Sequence, residues 1–150
     1  MEKDPFRTGT ILIVDDEPEL TQSLSDVLSR EGYEVVSASS GDSAYSMLDE
    51  FFSIYGSINI TAIVSDWKMA NGDGIQLLRQ IRTNPNFTDI PFVLISGAVS
   101  REKLNEAILL DADAVLLKPF ELSVLLEKVD FAIQQRQIKA NRKIIGTKIF

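Results

Sequence analysis

Five short, almost wholly apolar runs alternate along this chain with five stretches of helical period, and that alternation restricts the fold more than any single residue does. Residues 10–14 are apolar from Ile11 to Val14 without interruption, the mark of a strand buried on both faces. Pro18 suits the first turn of a helix, Leu20, Leu24, Val27 and Leu28 share one face of it, and Gly32 predicts its stop. Residues 33–38 predict a second strand, favoured by Val35 and Val36. From Asp42 onward Ala44, Met47, Leu48, Phe51 and Phe52 recur at helical spacing. Residues 60–64 predict a third strand and Ile75, Leu78 and Ile81 a third helix. A fourth strand over 92–95 precedes a helix marked by Leu104, Ala107 and Ile108. A fifth over 114–117 precedes one marked by Leu122, Leu125, Leu126, Val129 and Ile133. Strict alternation of this kind predicts an α/β fold: a doubly wound, five-stranded parallel sheet with helices on both faces and right-handed crossovers. In such sheets ligands bind beyond the carboxyl ends of the strands, so the chemistry is to be sought there.

Composition removes several classes of chemistry. The chain has 150 residues, enough for one domain with a real core. It contains no cysteine and no histidine, which excludes disulfides, thiolate nucleophiles, zinc-thiolate sites and Ser-His-Asp triads. What remains is carboxylate, hydroxyl, lysine, or a hard cation held by oxygen. The first ten residues are polar and no apolar run approaches the roughly 20 residues of a membrane span, so a cytoplasmic protein without membrane contact is expected. Residues 131–150 carry five basic side chains and no acidic one, which leaves 10 basic against 22 acidic, or −12, in residues 1–130. So acidic a body predicts no direct nucleic-acid binding. The basic end reads as a linker or a solvated helix end.

The residues at the predicted strand ends are Asp15, Asp16 and Glu17 after the first, Asp66 after the third, Ser96 after the fourth and Lys118 after the fifth. One parallel sheet would bring them to one rim. Each alone has an ordinary explanation: an aspartate there commonly caps a helix or forms a turn, and so does a serine. Together they carry a specific physics. Carboxylates within a few ångströms repel, so either some are protonated or a cation neutralises them. Oxygen ligands alone select a hard ion, and a small shell that retains water suits Mg²⁺ better than Ca²⁺. A Mg²⁺ beside a carboxylate and a lysine can clamp a phosphoryl group, one carboxylate can act as nucleophile, and the hydroxyl can donate to a phosphoryl oxygen.

The same residues carry a family resemblance. The chain resembles the CheY-like receiver domains of bacterial two-component response regulators from about residue 9 to about residue 135. The matching pieces are Ile11 to Val14 followed by Asp15, Asp16, Glu17 and Pro18; Ser65 to Met69 with Asp73 and Gly74; Leu94, Ile95 and Ser96; and Lys118, Pro119 and Phe120. The resemblance implies the strand order 2-1-3-4-5 of the flavodoxin and CheY type. It implies Asp66 as phosphoacceptor, Asp16, Asp66 and the Lys68 main-chain carbonyl as direct Mg²⁺ ligands, and Asp15 acting through water. Ser96 and Lys118 would bind the phosphoryl oxygens, with a cis bond between Lys118 and Pro119. The phosphodonor would be a sensor histidine kinase, a phosphotransfer protein or a small phosphodonor. The protein would be no enzyme toward other molecules, catalysing only its own Mg²⁺-dependent phosphorylation and dephosphorylation. The domains implied are an N-terminal extension over 1–8, the receiver over 9–135 and a basic helical extension or linker over 136–150.

Some positions depart from the family pattern. Ala70 stands where a proline is common, Asp111 where a glycine is usual, and Val115 where an aromatic normally swings inward. If position 111 needs a positive φ, aspartate tolerates it better than most residues. Val115 points to readout through the loop after Ser96 rather than through an aromatic. The output surface expected from the family is the face of the fourth helix, fifth strand and fifth helix. On the last helix Val124, Phe131 and Ile138 recur every seven residues, apart from the core face, and predict contact with a partner or a second copy in a homodimer. That helix is expected to run through Lys139 to Ile144 and to stop near Gly146. The alternative function is a receiver-like interaction module that is never phosphorylated. An aspartyl-phosphate phosphatase would need an Asp-x-Asp pair after the first strand, and a flavin module a hydroxyl- and glycine-rich phosphate loop.

Overall fold

A computed structural model describes the backbone of residues 9–149 and the side chains of residues 9–143. The expected extension over 1–8 lies outside the described residues. The elements run β1 (Thr10–Val14), α1 (Pro18–Arg30), β2 (Glu34–Ala38), α2 (Gly41–Tyr55), β3 (Ala62–Asp66), α3 (Gly74–Thr83), β4 (Phe92–Ser96), α4 (Arg101–Leu109), β5 (Ala114–Leu117) and α5 (Leu122–Ile149). All five strands are parallel, in the order β2-β1-β3-β4-β5. The predicted fold class and topology are those observed.

Strand alternation divides the core into two layers. Leu12, Val14, Ile63, Phe92 and Leu94 face α2, α3 and α4 together with Leu48, Leu77, Leu78 and Ala107. Ile11, Ile13, Val64, Val93 and Ile95 face α1 and α5 with Leu24, Leu28, Leu125 and Val129. Both faces of the central strands are therefore dry, which is why Ile11 to Val14, Ala62 to Val64 and Phe92 to Ile95 are unbroken apolar runs.

Helix ends are set locally. Pro18 opens α1, and Gly32 follows it at φ 112°. Ser40 caps α2 by accepting from the Ser43 amide, Asp73 and Gln76 form a reciprocal capping box on α3, and Ser100 caps α4 through the Lys103 amide. Asp111 takes φ 65°, a positive φ that aspartate tolerates better than most residues. The Lys118–Pro119 bond is cis.

The second strand starts at Glu34 rather than at residue 33, and three further boundaries differ from the sequence reading. The third strand lies at Ala62–Asp66 rather than 60–64, because Ser65 and Asp66, though polar, pair in register with Leu94 and Ile95. For the same reason Ser96 is the last residue of β4, opposite Leu117, and not the first after it. The last helix does not stop near Gly146 but runs to Ile149; an interior glycine costs a helix only about 1 kcal/mol and does not by itself end one.

One residue of the basic end, Arg136, is less solvated than expected. Arg136 is 3% exposed, its Nε 2.7 Å from Asp113 Oδ1, and it pairs as well with the Asp111 carboxylate. Arg82 reaches the other Asp113 oxygen at 2.9 Å, and Lys139 donates to Asp111 at 2.5 Å. This network joins α3, the α4–β5 turn and α5. Among the described residues no helix is long and apolar enough to cross a membrane.

Candidate functional site

Register places the acidic residues side by side. Val14 is opposite Ser65 in the sheet, so Asp15, one residue beyond β1, stands next to Asp66 at the end of β3. Ser96 ends β4 and Lys118 follows β5, its amide continuing the ladder to the Ser96 carbonyl at 2.8 Å. The rim anticipated from the strand ends therefore exists.

Four carboxylates meet there. Asp15, Asp16, Glu17 and Asp66 each offer an oxygen within 4.8 Å of the others. Asp15 and Asp66 are buried, while Asp16 and Glu17 are exposed. Glu17 belongs to the acidic run in the sequence but was not expected among the ligands. It precedes α1 at the N-cap position without a side-chain capping bond, which leaves its carboxylate to the cluster. Asp15 accepts from the Glu17 amide through Oδ1 at 2.8 Å, but its Oδ2 is buried with no hydrogen-bond partner.

Electrostatics records the crowding. Burial, aided by the neighbouring Asp66 charge, pushes the Asp15 carboxyl up to about 6, against the pull of the Glu17 amide and Lys118. Burial also raises Asp66, opposed chiefly by Lys118. The Lys118 Nζ lies 3.4 Å from Asp66 Oδ2 and is the site's one described ion-pair partner for that carboxylate.

The loops around Asp66 hold it in place. Trp67, 5% exposed, donates its amide to the Ile95 carbonyl at 2.7 Å and accepts from Gly74 at 2.8 Å. A Cβ at Gly74 would run into the Asp66 carbonyl oxygen, so only glycine lets α3 begin this close to the phosphoacceptor candidate. Lys68 lies exposed in the same loop, two residues after Asp66.

Ser96 differs from a simple expectation. Its hydroxyl donates to the Ala98 carbonyl at 2.8 Å and accepts from the Ala98 amide at 3.3 Å, so it is engaged by the β4–α4 loop. Val115 is partly buried among the residues of the layer that carries α2, α3 and α4.

The cluster offers oxygen donors alone, the donor set that suits a hard divalent cation such as Mg²⁺, and the Asp15 Oδ2 is buried within it without a hydrogen-bond partner.

Comparison with known proteins agrees with this geometry. Residues 11–130 match the family model described as the response regulator receiver domain. The chain is 27% identical over 124 residues to the chemotaxis protein CheY1 of Helicobacter pylori, covering 82% of this chain and 95% of that protein. It is 32% identical over 125 residues to the probable chemotaxis protein CheY of Rhizobium etli, covering 83% and 88% respectively. Among solved structures it is similar to the chemotaxis response regulator CheY4 of Vibrio cholerae, with a TM-score of 0.73 and 26% identity over 83% of this chain and 98% of that one. With five parallel strands in the order 2-1-3-4-5 and an acidic rim at their carboxyl ends, the chain belongs to the receiver domains of two-component response regulators.

Proposed function

We propose that this receiver accepts a phosphoryl group on Asp66 in a Mg²⁺-dependent reaction and thereby switches the face formed by α4, β5 and α5. The observation that carries this reading is the meeting of Asp66, its partner Lys118 at 3.4 Å, and a carboxylate cluster whose Asp15 Oδ2 lacks any partner. Asp15, Asp16, Asp66 and the Lys68 main-chain carbonyl would hold the ion, with Glu17 at its edge. Bound there, Mg²⁺ supplies the positive charge that lets anionic carboxylate and anionic phosphoryl group approach.

The chain's own residues do the rest. An Asp66 carboxylate oxygen attacks the phosphorus of a phosphohistidine or a small acyl phosphate. The new P–O bond forms as the donor's P–N or P–O bond breaks and the leaving group departs with its electron pair. Lys118 turns from the Asp66 carboxylate to the phosphoryl oxygens. The Ser96 hydroxyl exchanges the Ala98 carbonyl for a phosphoryl oxygen, which moves the β4–α4 loop. The chain acts on its own aspartate, taking the group from a donor and returning it to water, and turns over no other substrate.

The partner reading follows from the surfaces. Receiver domains take phosphoryl groups from histidine kinases or phosphotransfer proteins, and beside Lys118 lies an open, mainly apolar hollow of about 580 Å³ lined by Leu20, Leu24, Pro119 and Phe120 among others. On the other side Leu104, Ile108, Leu117, Phe131 and Ile138 are exposed on α4, β5 and α5, which supports a partner or a second copy docking there. Val124, the first member of the seven-residue stripe, packs instead against the core layer that faces α1 and α5.

Trp67 emission tests the site directly. Mg²⁺ followed by beryllofluoride should change it in two saturable steps, and Asp66→Asn should abolish the second; emission indifferent to both would contradict the proposal.

A further inference from the structure

Helix α4 is docked unevenly. Of its nine residues only Ala107 is buried, while Leu104, Ile108 and Leu109 are exposed, so little apolar contact holds it to the sheet. Elements with so few buried contacts open and shift most easily.

Its carboxyl end is nevertheless fixed. Immediately after it, Asp111 and Ala112 donate back to the carbonyls of Ile108 and Ala107 at 3.0 and 2.9 Å. The Asp111 carbonyl accepts from Arg82 Nε and Arg136 Nη2, each at 3.0 Å, and its carboxylate pairs with Arg136 and Lys139. Asp113, two residues on, is held by Arg82, by Arg136 and by the Phe92 amide at 2.8 Å. These bonds tie the end of α4 to α3, β4 and α5 at once.

The amino end has a different and weaker attachment. Ser100, its cap, follows the loop that the Ser96 hydroxyl holds through Ala98. Within the first turn of the helix, the Lys103 ammonium lies over the Trp67 ring, 5.5 Å from its centroid. That is within the reach of a cation–π contact. Trp67 is buried and follows Asp66 directly after β3, so the contact runs from the edge of the site straight to the output helix. The Arg79–Glu106 pair between α3 and α4 is long, at 3.8 Å, and exposed on both sides, so it adds little.

We propose that Lys103 over Trp67 is a latch: it holds the amino end of α4 in the resting position, with the Asp111 end as pivot, and sets how readily the domain switches. The proposal rests on the reading of Asp66 as phosphoacceptor. When Ser96 leaves Ala98 for a phosphoryl group, the 97–100 loop is drawn toward the site. With its far end tied, α4 can follow only by swinging its first turn, which lifts Lys103 from the ring. The latch places a coupling contact on the aromatic just after β3, in a chain whose β5 carries Val115. Lys103 is a positioning residue; it touches neither the phosphoryl group nor the carboxylates.

The chain has no cysteine, so two can be introduced without background. Nitroxides on Glu102→Cys in α4 and Glu50→Cys in α2, both exposed positions in the full chain, report the swing by pulsed electron spin resonance. Lys103→Met, which keeps the side chain's length and removes its charge, should raise the displaced population at rest roughly two- to fivefold, the range of a partly exposed cation–ring contact. By linkage it should tighten the beryllofluoride midpoint by the same factor. Lys103→Arg should restore both. A resting distribution unchanged by Lys103→Met overturns the latch. If the resting population shifts but neither variant takes up beryllofluoride, the latch stands and the Asp66 reading fails.

Discussion

Lys118 and Asp66 meet at 3.4 Å across the carboxyl edge of the sheet, though 52 residues separate them in the chain. The pair exists because β3, β4 and β5 lie side by side in parallel, so that the ends of β3 and β5 flank Ser96. Lys118 is the main influence opposing the burial that raises Asp66. Lys118→Met should therefore leave the fold intact, raise Asp66 further and slow phosphoryl uptake from acetyl phosphate by about 100-fold or more, as loss of a fixed transition-state donor does. Uptake at the wild-type rate would contradict the role given to the lysine.

Acid should weaken metal binding and shift stability in a defined window. Burial holds Asp15 at about 6, against 3.8 for an ordinary aspartate. Between those values the folded chain binds a proton that the unfolded chain does not. The sign follows: Asp15's contribution to stability falls as pH rises through that window and levels off above it. Mg²⁺ binds the ionised form, so its midpoint by Trp67 emission should weaken as pH drops below about 6, and it should raise the melting temperature more at pH about 8 than at pH about 5. A midpoint independent of pH would place Asp15 outside the ion's surroundings.

The buried ion network makes an unequal pair of predictions. Asp113 is enclosed and satisfies both Arg82 and Arg136. Asp113→Ala leaves two buried guanidinium groups short of a partner and should cost about 3–5 kcal/mol in urea unfolding. Arg79→Ala removes only the exposed 3.8 Å pair with Glu106 and should cost under about 1 kcal/mol.

Gly74→Ala tests how tightly α3 abuts the site. The added methyl would meet the Asp66 carbonyl oxygen, so the start of α3 or the end of β3 must shift. Overpacking of this kind costs about 1–3 kcal/mol. Phosphoryl uptake should fall along with stability, whereas Gly56→Ala, where a Cβ meets nothing but φ is 69°, should affect stability alone.

The strands could be recognised in advance because burial on both faces leaves no room for polar residues in Ile11 to Val14 or Phe92 to Ile95. Their ends could not, because Ser65, Asp66 and Ser96 are polar yet paired by backbone, and apolarity reports burial rather than hydrogen bonding. The rim of Asp15, Asp16, Asp66, Ser96 and Lys118 was legible once the topology was assumed. Glu17 stands in the same acidic run and joins the cluster, though the family resemblance assigns the ion only to Asp15, Asp16, Asp66 and the Lys68 carbonyl. The hold of Ala98 on Ser96 and the burial of Arg136 depend on loop shape and on contacts across tens of residues. A basic run near a chain end looks the same whether it is solvated or, like Arg136, closed over by two aspartates.

Intact mass spectrometry under neutral conditions tests the central claim most directly. With Mg²⁺ and acetyl phosphate the wild-type chain should gain the mass of one phosphoryl group, lose it on alkaline hydroxylamine treatment, and fail to gain it when Mg²⁺ is chelated or when Asp66 is Asn. A gain that persists in Asp66→Asn, or no gain in the wild type with Mg²⁺ present, would contradict the account.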